Sequence, residues 1–190
     1  MRQLLATLIV SAAAHPAFAQ PAQQPAQPPV PKTKIEAFTG TTGTVMIKGY
    51  TNVGSLSGSA GVEVQAMTFR NPNGNETHTG LAINVKEAGN SYGDSKRSFV
   101  DYDEIAGLLD GIKYVAKSQK GVTPLDFFES SYSTKDNLQV VVWNSRAGDV
   151  SANISAGSTY SRASAFVSLA QLEEFARLVE AGKKLLDGAR

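Results

Sequence analysis

The sequence predicts an α+β domain built from two pseudo-symmetric ββββα repeats, with antiparallel sheet or sheets covered by two helices. Three observations carry this prediction. Phe99-Val100-Asp101 runs into an apolar helical stripe, and Phe166-Val167-Ser168 does the same later in the chain. Each junction sets a capping residue type (Asp101, Ser168) three positions before a carboxylate or amide (Glu104, Gln171), the spacing of a capping box. Upstream of both junctions, short segments alternate apolar and polar residues and are separated by turn residues, the pattern of consecutive half-buried strands.

Residues 1–19 read as a signal peptide: Arg2 gives a positive start, Leu4 to Ala14 is an apolar run too short to span a bilayer, and Ala17-Phe18-Ala19 has the small-x-small form of a cleavage site. The chain has no cysteine, which excludes a disulfide framework and a lipid-anchored cysteine. An exported protein without disulfides relies on its core, which fits a periplasmic or secreted bacterial protein. Residues 20–39 read as a disordered Pro/Gln-rich linker, with Pro21, Pro25, Pro28, Pro29 and Pro31 favouring extended backbone that buries no apolar surface. Residues 40–190 then make one α+β domain, with the first repeat over about 43–120 and the second over about 124–187. Without Arg2 the chain carries 17 basic and 17 acidic residues. A neutral surface offers little counterion release, so nucleic acid and anionic membranes are poor partners.

Within the first repeat, strands are expected over Thr44 to Tyr50, Val62 to Arg70, Leu81 to Lys86 and Ser98 to Val100. Asn71-Pro72-Asn73-Gly74 supplies the turn between the second and third, because proline presets its φ and Asn-Gly tolerates positive φ. A helix follows, with Ile105, Leu108, Leu109, Ile112 and Val115 at helical spacing and Gly121 and Pro124 beyond its end. The second repeat has strands over Leu125 to Tyr132, Leu138 to Trp143 and Val150 to Ala156, and a fourth leading through Phe166-Val167 into a helix from about Leu169 to Leu186. Leu81-Ala82-Ile83-Asn84-Val85 lines up with Val150-Ser151-Ala152-Asn153-Ile154, and the loop at Gly89-Asn90-Ser91-Tyr92 with that at Gly157-Ser158-Thr159-Tyr160.

This layout resembles that of the Whirly and Pur-alpha families over roughly residues 40–187, through the doubled four-strand-plus-helix unit. The resemblance implies a single-stranded nucleic-acid-binding module. Of the Whirly Lys-Gly-Lys-Ala-Ala-Leu signature only Lys48-Gly49 is present, followed by Tyr50-Thr51, so no binding residues carry over. The phrases Tyr102-Asp103-Glu104-Ile105 and Arg162-Ala163-Ser164-Ala165-Phe166 are similar to those of a family of uncharacterised exported bacterial proteins.

No nucleophile elbow, phosphate loop or His-Glu-x-x-His motif is present, and past the leader His78 is the one histidine. The sequence therefore predicts no catalytic residues, no metal ligands and no cofactor. Asp101, Asp103, Glu104 and Asp110 form the densest acidic group; a carboxylate-dependent hydrolase would use such residues, and capping of the first helix also accounts for them. The best binding candidates are the duplicated loops, where Tyr92 with Lys96 and Arg97, and Tyr160 with Arg162, combine an aromatic ring with cations beside hydroxyls. Brought together by pseudosymmetry, they would suit an envelope protein, a peptide or a glycan. The expected function is that of an exported, non-enzymatic domain that binds a partner or has a structural role in the cell envelope.

Overall fold

The computed structural model describes residues 30–56, 61–87 and 95–189; the segments read from the sequence as a leader and as most of a linker, and the residues around Tyr92, lie outside them. The chain divides at Val30/Pro31, and the unit from Pro31 onward holds all the regular structure discussed below.

Eight strands form two four-stranded antiparallel sheets, each in sequence order. Sheet one contains β1 (Ile47–Leu56), β2 (Gly61–Asn71), β3 (Glu76–Lys86) and β4 (Ser95–Asp101). Sheet two contains β5 (Glu129–Ser133), β6 (Gln139–Asn144), β7 (Val150–Ser158) and β8 (Ser161–Val167). A short helix α1 (Lys34–Thr39) precedes sheet one, α2 (Ile105–Ala116) follows it, and α3 (Leu169–Gly188) follows sheet two. The expected α+β class with two ββββα units is thus present. Register makes the halves correspond: Leu81 faces Val100 across β3 and β4, and Ala152 faces Val167 across β7 and β8. Leu81 therefore matches Ala152 rather than Val150, a two-residue offset that keeps every side chain on the face the sequence alignment gave it.

The helices are exchanged between the halves. α3 lies across β1, β2 and β3, α2 lies on β5 and β6, and the two helices touch each other. A glycine permits the close approach in each case. On α3, a Cβ at Gly182 would stand 2.7 Å from Leu81 Cδ2 of β3; on α2, a Cβ at Gly111 would clash with the edge atoms of the Tyr132 ring of β5. Between sheets and helices runs one core. It contains Val64, Leu81 and Ile83 from sheet one, Val140, Val142 and Ile154 from sheet two, and Leu108, Ile112, Phe175 and Val179 from the helices. Full burial of each such side chain contributes about 1.5–3 kcal/mol relative to exposure.

Several boundaries differ from the sequence reading. β1 spans Ile47–Leu56 rather than Thr44 to Tyr50, and a register shift between Asn52 and Gly54 absorbs an extra residue. β5 starts at Glu129 rather than Leu125, because the segment before it is held by a side chain: Phe128 N–H donates to Asn144 Oδ1 at 2.7 Å, and Asn144 Nδ2 donates to the Asp126 carbonyl at 2.9 Å. Residues 34–39, read from the sequence as the end of a disordered linker, are helical instead. They form α1, whose buried Ile35 and Phe38 pack on Met67, Phe69 and Ala82 of sheet one's outer face, the face turned away from α3. Thr33 and Glu36 close a capping box at its start.

The predicted cap of α2 is a second correction. Asp101 makes no side-chain cap there, and a single 3-10 turn over Tyr102–Glu104 leads into the helix. Its carboxylate is instead taken by α1, accepting the N–H of Lys34 at 2.8 Å and of Ile35 at 3.2 Å. Glu104 is taken as well, by the N–H of Lys135 at 2.8 Å. The matching prediction for α3 holds: Ser168 and Gln171 form a complete capping box. Among the described residues no helix is long and apolar enough to cross a membrane.

Candidate functional site

Neighbouring residues of a strand point to opposite faces, so the structure separates Lys96 from Arg97. Arg97 stands on the outer face of sheet one, where its Nε donates to Asn84 Oδ1 at 2.7 Å. Lys96 points to the other side, and its Cγ would lie 3.1 Å from a Cβ on Gly157, next to the Arg162 backbone. The β3–β4 end and the β7–β8 hairpin therefore do meet, through Lys96. Arg162 donates from Nη1 to Gln139 Oε1 at 2.8 Å, across the outer face of sheet two. Tyr160 is 99% exposed at the hairpin tip and does not pack back on the sheet. Tyr92 lies outside the described residues.

The outer face of sheet two carries the more distinctive surface. Val140, Val142, Ala152, Ile154 and Ala165 point into the core. The period of two then puts Val141, Trp143, Asn153 and Phe166 on the opposite side, with Asn153 directly between Val141 and Phe166. Trp143 and Phe166 sit edge to face, their ring centres 6.2 Å apart, and Phe166 is 71% exposed. Ser131 and Ser151 flank them. Charge is confined to opposite corners, at Glu129 and at the Arg162 already bonded to Gln139.

The corresponding face of sheet one is closed. Register matches Met67 to Trp143 and Phe99 to Phe166, and there α1 lays Ile35 and Phe38 over the apolar residues. His78 belongs to this covered face, its ring 4.8 Å from that of Phe38 and its Nε2 2.8 Å from Glu76 Oε1. Sheet two has no such covering among the described residues. Sequence reasoning missed Trp143 and Phe166 as site residues, although strand parity alone set them opposite the core. It could not show that one sheet would be covered and its twin left open.

The acidic group is divided among separate duties. Asp101 caps α1, Asp103 pairs with Lys34 at 2.8 Å, Glu104 holds the turn at Lys135, and Asp110 stands exposed on α2. The hydrogen bond from Lys34 holds the Asp103 carboxyl below its ordinary range. Burial, with Glu104 and Asp110 nearby, raises the Tyr132 phenol. The largest displacement belongs to Asp136, in the β5–β6 turn. Burial and then the neighbouring Glu36 carboxylate push it up to about 6, against the downward pull of the Phe99 N–H that donates to it at 2.7 Å. Among the described residues no group of three or more His, Asp or Glu is placed to hold a metal ion.

Comparison of the chain with protein families, with curated proteins and with solved structures gave no match in any of the three.

Proposed function

We propose that the chain is an exported binding domain of the bacterial envelope or medium, without catalytic activity, and that the outer face of sheet two receives a neutral glycan. The observation that carries this reading is the open pair Trp143–Phe166, on the face whose counterpart α1 closes. Sugar rings present flat C–H surfaces that stack on aromatic side chains, and their hydroxyls pair with amides and serines such as Asn153, Gln139, Ser131 and Ser151. The lack of charge at the centre of the face favours a neutral ligand over a phosphate backbone. The apolar leader supports export, and after its cleavage the proline-rich segment would form an extended N-terminal arm ahead of the domain.

Trp143 is the one tryptophan of the chain, so its fluorescence reports directly on this face. Titration of the full chain with a hexamer of N-acetylglucosamine or with a neutral glucan should give a saturable change. Phe166→Ala should weaken it by about tenfold, the equivalent of 1.4 kcal/mol. A flat response to both sugars removes the glycan reading. A salt-sensitive response to single-stranded oligothymidylate instead would favour the nucleic-acid reading implied by the Whirly and Pur-alpha resemblance.

A further inference from the structure

Beyond the part of sheet one that α1 covers, the outer face sinks into a depression of about 450 Å³ lined by Ser55, Glu63, Asn84, Lys86, Ser95 and Arg97. We propose that this depression binds a carboxylate group, held by Arg97 and Lys86. It is separate from the aromatic face of sheet two and does not depend on it.

The argument starts from how Arg97 is held. Across β2, β3 and β4, Glu63 faces Asn84 and Asn84 faces Arg97. Glu63 accepts from Gln65 Nε2 at Oε1 and from Asn84 Nδ2 at Oε2, both at 3.1 Å, and Asn84 Oδ1 accepts from Arg97 Nε at 2.7 Å. The row therefore occupies both oxygens of the glutamate with neutral amides and puts the asparagine between the two charges. The guanidinium is anchored through Nε alone, and among the described residues Arg97 forms no ion pair. Its two terminal nitrogens are the pair that engages a carboxylate in a fork.

Lys86 completes the clasp. It lies two residues beyond Asn84 on the same face, with Ser95 opposite on β4 and Gly61 opposite on β2, so it is a diagonal neighbour of Arg97. Gly61 contributes no side chain beside the base of Lys86, whose Cβ would lie 3.7 Å from a Cβ at that position. Among the described residues Lys86 also forms no ion pair. Two cations joined by the hydroxyls of Ser55 and Ser95 suit an anion, and the Glu63 charge in the same row opposes a second negative charge on it. A singly charged carboxylate fits that balance better than a phosphate dianion. The group could come from a uronic acid in a polysaccharide or from the C-terminus of a peptide.

The test is an amide chemical-shift titration of the full chain with trigalacturonate, with acetyl-Ala-Ala bearing a free carboxylate, with the C-terminal amide of that peptide, and with inorganic phosphate. One of the two carboxylates should saturate shifts at Glu63, Asn84 and Arg97. Both Arg97→Gln and Lys86→Gln should weaken it by about tenfold, while Phe166→Ala leaves it unchanged. Trigalacturonate alone would identify the uronate source, and the free peptide alone the peptide terminus. The proposal is overturned if neither carboxylate saturates by about 20 mM, if the peptide amide or phosphate binds as tightly as the carboxylate, or if a folded Arg97→Gln chain binds undiminished.

Discussion

The carboxylate of Asp101 accepts the backbone N–H of Lys34 at 2.8 Å, so a residue at the mouth of α2 caps a helix 67 residues earlier in the chain. Asp101 is 2% exposed. Its removal strands two amides of α1 and loosens the cover over Met67 and Phe69. Asp101→Ala should cost about 1–3 kcal/mol in urea unfolding, and Asp101→Asn less, because an amide oxygen still accepts. The site of action can be separated from its size. In a chain cut back to begin at Thr41, the alanine penalty should vanish; a penalty that survives would return Asp101 to the start of α2.

The contact between Gly111 and Tyr132 fixes α2 on the sheet of the other half. Gly111→Ala would normally favour a helix, yet here the added methyl meets the ring, and overpacking of this kind costs about 1–3 kcal/mol. Tyr132→Ala should lower stability by itself through lost packing. Combined with Gly111→Ala it should cost less than the two changes added together, since the methyl then enters vacated space. Simple additivity in thermal melts would mean that the helix and strand are not pressed together at this point.

Ser168 and Gln171 exchange two hydrogen bonds at the start of α3, Ser168 Oγ accepting at 3.2 Å and Gln171 Oε1 at 2.9 Å. Ser168→Ala should cost about 0.5–2 kcal/mol, and Ser168→Asp should recover most of it. Circular dichroism during denaturation measures both.

Ser168 and Asp101 show where sequence reading succeeds and where it stops. Both sit in the same four-residue pattern, yet only Ser168 serves its own helix, because no distant group competes for its hydroxyl. Asp101 is claimed by α1, and α1 was itself illegible: Ile35 and Phe38 are two apolar positions beside a proline-rich run, too few to establish a helical period. The core-facing side of the strands was legible, since alternation at Val140, Val142 and Ile154 states which side is buried, but the burial of Met67, Phe69 and Ala82 on the other side of sheet one was not. The exchange of helices was not, because the stripe of Leu172, Phe175 and Val179 states that it is covered and not by which sheet. The same limit applies to the candidate site. Parity placed Phe166 outward, but the difference between it and Phe99 is made by a helix whose docking no local pattern encodes.

Asp136 gives the protein a pH dependence whose sign follows from its surroundings. Its carboxyl rises from 3.8 in an unfolded chain to about 6 in the fold, so the folded state holds more protons across that interval. The resulting stabilisation is complete below about pH 4 and is lost as pH rises through 6. A shift of this size corresponds to about 3 kcal/mol at full strength, and solvent around the half-exposed turn reduces it to about 1 kcal/mol. Asp136→Asn imitates the protonated form and keeps an acceptor for the Phe99 N–H. It should therefore be more stable than the parent by about 1 kcal/mol at pH 7.5 and indistinguishable from it near pH 4. Glu36→Gln, which removes the charge but can keep the cap of α1, should lower the midpoint without abolishing it, because burial is the larger cause. Asp103 does not obscure the window: held low by Lys34, it loses its contribution only as pH falls below the usual carboxylate range. Urea midpoints between pH 4 and 7.5 that run parallel for the parent and Asp136→Asn would show that this carboxyl titrates as it does in the unfolded chain.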